Sequence, residues 1–460
     1  MEAISMSLSV VWMVVVTVMV NLWWFFNWVW LRPKRMEKGL REQGLAGNRY
    51  RFLFGDLKEV AQMTEQAKLQ PVKLSESIVP RVIPFYYKSA NIYGSTFFTW
   101  VGPRPMVHII DPVMIRQIFA NYNQFQKMRV GNPLSKMLTK GVVDAAEGDQ
   151  WMKHRKIINP AFHIEKLKII STSISIVKGY SLYMIAMDTN DFCLTKRNRR
   201  MKAIDQEVKS LIKKIINKQL TTKENGESSK EDLLGVLLDS NDKEIKLQGY
   251  TTFGLSIDEI IEECKLFYFG GQETTANLLV WTMILLGQHT NWQDRARDEV
   301  LNVFGDKNLN TDGLSHLKII NMILHEVVRL YPLGPVIKRM IHEETKVENL
   351  TLPPGTLLLL HLMLIHYDAN LWGDDVNEFN PERFAKGASK AAKEPSSYFP
   401  FGGGPRVCVG RTFALLEAKA ALVMILRRFS FKLSPSYLHA PHTFITLQPQ
   451  FGAQLIMSEL

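Results

Sequence analysis

The chain has 460 residues and 3 cysteines, Cys193, Cys264 and Cys408, which allows one large domain or two but neither a disulfide framework nor a paired zinc pattern. So few cysteines suit a reducing compartment. The formal net charge of +11 leaves two kinds of partner open, nucleic acid and an anionic surface.

The N-terminus decides between them. From Ala3 to Leu31 no residue is charged, a run longer than the ~20 residues that cross a hydrocarbon core. It ends in Trp23, Trp24, Phe25, Phe26, Trp28 and Trp30, aromatics of the kind that sit at a membrane interface. Arg32, Lys34, Arg35, Lys38 and Arg41 follow, whereas only Glu2 is charged before the run, so the remainder of the chain is placed in the cytosol. A cleaved signal peptide fits poorly, because the run is too long and lacks a basic start. Residues 1–31 are therefore predicted to be a single-pass anchor, 32–50 a basic linker and 51–460 the catalytic domain.

Phe97–Val101 and Met106–Ile110, separated by Gly102-Pro103-Arg104-Pro105, read as a β-hairpin. Beyond residue 112 helical spacing dominates, except over Leu350–Leu360 and the C-terminal strands, so the chain is mostly α with a minor β region. Trp151-Met152-Lys153-His154-Arg155 fits a helix with a half-buried aromatic. The basic run at Lys196–Arg200 suits an anionic membrane face better than nucleic acid. Thr221–Asp232 is polar and charged and is expected to be a surface loop. Ser256–Trp281 is helical in pattern but carries Gly270-Gly271 in its middle. Two glycines there cost roughly 1 kcal/mol each relative to alanine, and close approach to a flat cofactor would compensate. Glu273 and Thr274 then offer an acid and a hydroxyl beside that gap.

Glu326 and Arg329 share one helical face at i and i+3, and Asn380-Pro381-Glu382-Arg383-Phe384 follows downstream. Phe401-Gly402-Gly403-Gly404-Pro405-Arg406-Val407-Cys408-Val409-Gly410 sets a cysteine in a glycine-rich turn, before a helix expected over Arg411–Phe429. A helix start beside Cys408 favours the thiolate. His154, His325, His361 and His366 lack metal-ligand spacing and read as ordinary polar or capping residues. Cys264 reads as a packing residue on the glycine-bearing helix.

The cysteine loop resembles that of the cytochrome P-450 superfamily of haem-thiolate monooxygenases, whose pattern F-x-x-G-x-R-x-C-x-G is met by Phe401, Gly404, Arg406, Cys408 and Gly410. Gly270–Thr275 is similar to that family's distal-helix pattern, [AG]-G-x-[DE]-T-[TS]. The resemblance implies the cytochrome P-450 fold and haem b, with Cys408 as the axial iron ligand and Phe401 and Arg406 in its loop. It also implies Trp151, Arg155, Arg339 and Arg406 at the haem propionates, Thr274 as hydrogen-bond partner of dioxygen, and Glu273 as proton relay. Glu326, Arg329 and Arg383 would form a buried ionic triad that holds the cysteine loop. Partners implied are a flavoprotein reductase fed by NADPH, the endoplasmic reticulum membrane and a lipophilic small molecule; nucleic acid is not among them. Substrate-contacting segments would fall on Asn121–Val142, Lys265–Gly271, Leu333–Val336 and Phe444–Leu447.

The opening around Leu31-Arg32-Pro33-Lys34 and Gln43-Gly44-Leu45 is similar to the plant group that includes secologanin synthase, whose members oxidise terpenoids. Only 114 residues separate Arg155 from Gly270, where the family fits several more helices. Residues 168–194 do not resemble the family, which suggests a splice variant or gene-model artefact across a missing block. Three readings stay open: a membrane-anchored monooxygenase, a haem-binding chain impaired in catalysis, and a haem-thiolate isomerase or dehydratase. The Glu273-Thr274 pair speaks against the last.

Overall fold

An apolar run with no charged side chain keeps its backbone paired internally, and the N-terminus is accordingly helical. The computed structural model describes residues 2–128, 147–162, 196–225, 233–248 and 254–460. Helix α1 (Glu2–Phe26) passes through a π-helical turn at Asn27–Leu31 into α2 (Arg32–Glu42). Val11–Glu42 is long and apolar enough to cross a membrane, and Val11–Phe26 is exposed. The segment 32–50 is more than a linker. Besides α2 it contains strand β1 (Ala46–Gly47), which pairs with the main sheet.

Strands β2 (Thr96–Val101) and β3 (Arg104–Ile109) form the expected hairpin, with Val101 opposite Arg104. The turn tightens to Gly102-Pro103, where Gly102 takes a φ of 58°, so Arg104 and Pro105 join the strand. β4 (Phe125–Lys127) follows. Helices α3 (Asp149–Ile158), α4 (Lys196–Glu224), α5 (Leu233–Gln248), α6 (Ile257–Gln288) and α7 (Lys318–Leu330) make up the middle of the chain. Next come β5 (Ile337–Ile341), β6 (Thr345–Val347), β7 (Leu350–Leu352) and β8 (Leu357–Leu360). Helix α8 (Arg411–Leu426) and strands β9 (Phe429–Leu433), β10 (Pro441–Thr443), β11 (Leu447–Pro449) and β12 (Leu455–Glu459) close the chain. The main sheet is ordered β1-β2-β3-β8-β5-β4, with the all-leucine β8 fully buried at its centre. The mostly helical class with a minor β part is thus observed.

The largest apolar core joins α6, α7 and α8 and is built around Trp281, which stacks on Tyr331 at 4.2 Å. Ser256 caps α6 in a reciprocal box with Glu259, and this fixes where the helix starts. The helix continues to Gln288, beyond the expected Trp281, because Ile284, Leu285 and Leu286 remain buried in that core. α8 stops at Leu426 rather than Phe429, since Phe429 opens a strand paired with β12.

The expected loop at Thr221–Asp232 is helical as far as Glu224. Lys223 binds Asp239 and Asp242 of α5 at 2.7 and 2.6 Å, which ties the end of α4 down. Its remainder lies largely outside the described residues, as do residues 168–194 and the larger part of Asn121–Val142.

Candidate active site

The cysteine loop is shaped by backbone constraint before any side chain is considered. Gly404 has a φ of 64°, and a Cβ there would collide with the Phe119 carbonyl, so only glycine fits. The Phe401 carbonyl accepts from the Cys408 amide at 3.0 Å, which folds the turn back on itself. Cys408 is exposed by surface area yet set among many protein atoms. This desolvation pushes its thiol up, while the Gly410 amide, Arg155, Arg411 and Lys127 oppose the shift. Burial thus opposes the helix start and the cations at this thiol. A bound cation would reverse that balance.

Cations gather around this thiol. Arg155, on α3, donates to the Val407 carbonyl at 2.7 Å, and burial lowers its pKa. Arg406 lies over the Trp151 ring at 4.5 Å and the Tyr122 ring at 5.5 Å. It is paired with Glu147, yet its Nε and Nη1 are buried with no hydrogen-bond partner among the described residues. Arg339, on β5, lies over Phe119 at 5.7 Å, bonds only the Lys338 carbonyl and is pushed down to about 10 by burial. The structure thus brings Trp151, Arg155, Arg406 and Cys408 together, with Arg339 one ring away. Glu147, which sequence patterns did not single out, also accepts from the Lys127 amide at 2.9 Å.

On the other side, α6 runs unbroken past its glycines. A Cβ at Gly270 or Gly271 would meet nothing within 4 Å. Thr274 turns its hydroxyl to the Gly270 carbonyl at 2.6 Å, the i−4 bond open to any helical threonine. Glu273 is held from outside the helix. Its Oε1 accepts from Thr446 at 2.7 Å and from Asn277 at 3.1 Å. Two of the expected substrate segments meet through the Leu447 amide, which donates to the Leu333 carbonyl at 3.1 Å. Lys265 belongs to a different network, donating at 2.6 Å to Asp205 of α4. Cys264 is buried in the cluster around α3 to α6.

Glu326 and Arg329 form a two-bond ion pair at 2.7 and 2.8 Å, both fully buried. Arg383 approaches the same carboxylate at 3.6 Å and holds Asp375 at 2.7 Å. Arg329 also donates to the carbonyls of His366, Val376 and Glu378.

The profile of the family described as "Cytochrome P450" matches residues 83–178 and 165–453. The chain belongs to the cytochrome P450 family. It is 49% identical over 520 aligned positions to cytochrome P450 CYP72A219 of Panax ginseng, with 100% of each chain covered. To two Catharanthus roseus proteins, 7-deoxyloganic acid hydroxylase and secologanin synthase 1, it is 42% and 41% identical, covering 98% and 96% of their lengths. Among solved structures, the retinoic acid-bound cyanobacterial CYP120A1 superposes with a TM-score of 0.68 at 22% identity, over 82% of this chain and 94% of that one, and shares the fold. Aligning 460 residues over 520 positions leaves at least 60 positions facing no residue of this chain. The two P450-matching pieces overlap at residues 165–178, and the second runs through all of 168–194, the stretch in which sequence patterns alone show no family resemblance.

P450 membership makes the chain a monooxygenase of the oxidoreductase class and implies haem, electrons from a reductase and a lipophilic substrate. The residues present fit haem. Among the described residues, Arg406 has two buried donors without hydrogen-bond partners, and the side chains of Arg155 and Arg339 donate only to backbone carbonyls, so two carboxylates would complete them. Cys408 supplies one soft ligand, and among the described residues no cluster of three His, Cys, Asp or Glu could cage a metal instead.

The histidines proved more engaged than the sequence suggested. His154 pairs with buried Glu263 at 2.7 Å, joining α3 to α6. His361 is no side-chain cap. It accepts or donates across 2.8 Å to His108, which in turn meets Thr99 at 2.7 Å.

Proposed function

We propose that this P450 inserts one atom of dioxygen into a C–H bond of a terpenoid-like molecule, while anchored by residues 1–31 in the endoplasmic reticulum membrane. Haem, when bound, supplies the oxygen activation, and NADPH supplies electrons through a flavoprotein reductase. Cys408 ligates the iron as thiolate. Trp151, Arg155, Arg339 and Arg406 hold the propionates, and Phe401 packs beside the loop. Thr274 is one χ1 rotation from exchanging its Gly270 bond for a donor role at the open face beside the glycines. Glu273, fixed by Thr446 and Asn277, helps to relay protons toward this hydroxyl. Glu326, Arg329 and Arg383 keep the loop's supporting layer in place.

One observation carries this reading. The buried donors of Arg406, without partners, sit two residues from a thiol ringed by cations. The two C. roseus relatives, named for 7-deoxyloganic acid and secologanin, support a terpenoid-like substrate, and the apolar Val11–Glu42 helix supports the anchor. Expression with a reductase tests the proposal. A thiolate-type spectrum of the reduced, carbonyl-bound protein together with NADPH-dependent product is expected; absence of that spectrum would overturn it.

A second reading has its own observation. The 520-position alignment of a 460-residue chain supports loss of a block near residues 168–194, with haem retained and catalysis impaired. A thiolate spectrum without product on a panel of lipophilic compounds favours this splice-variant or gene-model reading. Turnover without any reductase would favour the isomerase or dehydratase.

A further inference from the structure

Directly after the apolar helix lies a groove of about 540 Å³ lined by Lys34, Glu37, Lys38, Arg41, Glu42 and Arg49. Its floor is rigid. Glu37 is buried and takes Lys34 at 3.0 Å, Arg41 at 3.2 Å and the Tyr50 amide at 3.3 Å. That carboxylate is thereby neutralised by two cations. The rim differs. Arg49 is exposed and has no hydrogen bond or ion pair among the described residues. Lys38 is 77% exposed and reaches only the exposed Glu42, at 3.7 Å, a contact worth little in water.

Placement gives the groove its meaning. The uncharged run Ala3–Leu31 is helical throughout and at ~1.5 Å per residue rises about 44 Å, enough to cross a hydrocarbon core and reach its interface. The helix passes without a break into α2. Lys34 and Lys38 therefore follow the uncharged run within two helical turns, on the side of its interfacial aromatics. Lys34 also packs over the Trp30 ring at 5.5 Å, against an aromatic of the interfacial type.

We propose that this groove binds the headgroup of an anionic glycerophospholipid with an exposed phosphomonoester, of the phosphatidate kind. The inference rests on the membrane reading above. The groove's four cations, Lys34, Lys38, Arg41 and Arg49, outnumber its two carboxylates, Glu37 and Glu42, by two, which matches the charge of a phosphomonoester, and the volume leaves room for the glycerol that links it to its acyl chains. Lys34 and Arg41, already oriented by Glu37, present their remaining donors to the same oxygens.

The test uses the full-length holoprotein in nanodiscs of phosphatidylcholine with a minor share of phosphatidate, and counts lipids retained on the protein by native mass spectrometry. The wild type is expected to retain phosphatidate in preference to phosphatidylcholine. The K38Q/R49Q variant should lose about twenty-five-fold of that preference, a factor of about five for each cation at an anionic surface, with its reduced carbonyl spectrum unchanged. Equal retention of the two lipids by the wild type overturns the proposal, as does a preference that the variant keeps. Displacement of phosphatidate by an equal concentration of inorganic phosphate also overturns it, since the groove would then be a free-anion site. Flotation with pure phosphatidylcholine vesicles separates the two readings. A chain that does not float overturns the anchor and the groove together, whereas one that floats without lipid preference overturns the groove alone.

Discussion

The charged groups around Glu326 and those around Cys408 follow opposite rules. Around Glu326 almost every donor is used. Arg329 gives two bonds to the carboxylate and three more to carbonyls, with no exposure to water. Around Cys408 the guanidinium groups are also buried, but Arg406 keeps two donors without a partner and Arg339 bonds one carbonyl of its own strand. A buried cation is costly unless paired. A cluster of incompletely paired ones therefore marks where an anionic ligand belongs, while the cluster around Glu326, where among the described residues only Arg383 Nε of the guanidinium nitrogens lacks a hydrogen bond and lies 3.6 Å from the carboxylate, marks scaffold.

That contrast can be broken at either end. The largest effect is expected from Cys408→Ala, which should abolish the thiolate signature of the reduced carbonyl complex while the far-ultraviolet circular dichroism stays that of the wild type. Retention of the signature would reassign the ligand. Next comes Glu326→Ala, which leaves Arg329 buried without its counter-charge. It should cost ~3–5 kcal/mol of unfolding free energy in urea, more than any single arginine substitution at the cysteine loop.

Thr274→Ala tests the open side. It removes a hydroxyl bonded only within its own helix, so stability should stay within about 1 kcal/mol. The thiolate spectrum should persist, while product formed per NADPH consumed falls several-fold and peroxide rises. Unchanged coupling would strip Thr274 of its proton-delivery role.

The smallest effect concerns pH. His361 is fully buried and pushed down to about 3 by desolvation, and His366 likewise. Below the ordinary histidine value the unfolded chain takes up protons that the folded protein refuses, so the unfolded state gains. Stability is thus complete above about pH 6.5 and falls toward pH 3, by up to ~1.4 kcal/mol per pH unit for each such histidine. Urea titrations between pH 7.5 and 5 should show this slope, and His361→Gln should flatten it by one histidine's share.

Much of this was legible from short patterns, and the reason is physical. Gly404, Arg406 and Cys408 do their work within one turn of chain, and Glu326 and Arg329 within one turn of helix, so spacing alone conveys the arrangement. What was missed depends on distance. Glu273 owes its position to Thr446, 173 residues away in sequence, and His108 meets His361 across 253. Glu147 had no periodic pattern around it, yet it clamps both Arg406 and the backbone of β4. The hairpin at Thr96–Ile109 was visible because alternation and Gly-Pro punctuation are local. The parallel pairing of β3 with β8 left no trace in either strand's own text.

The passage from α1 through the π turn into α2 has a mechanical side. Tyr50 donates its hydroxyl to the Val29 carbonyl at 2.5 Å, and Gln43 both gives to and takes from Thr351. The apolar helix is thus bolted to the domain at two levels and acts as a strut rather than a tether. Adding or deleting one residue between Val29 and Arg32 would turn the whole domain by about 100° about the helix axis. Were the helix to cross a bilayer as proposed, that phase angle would set which face of the domain lies along it.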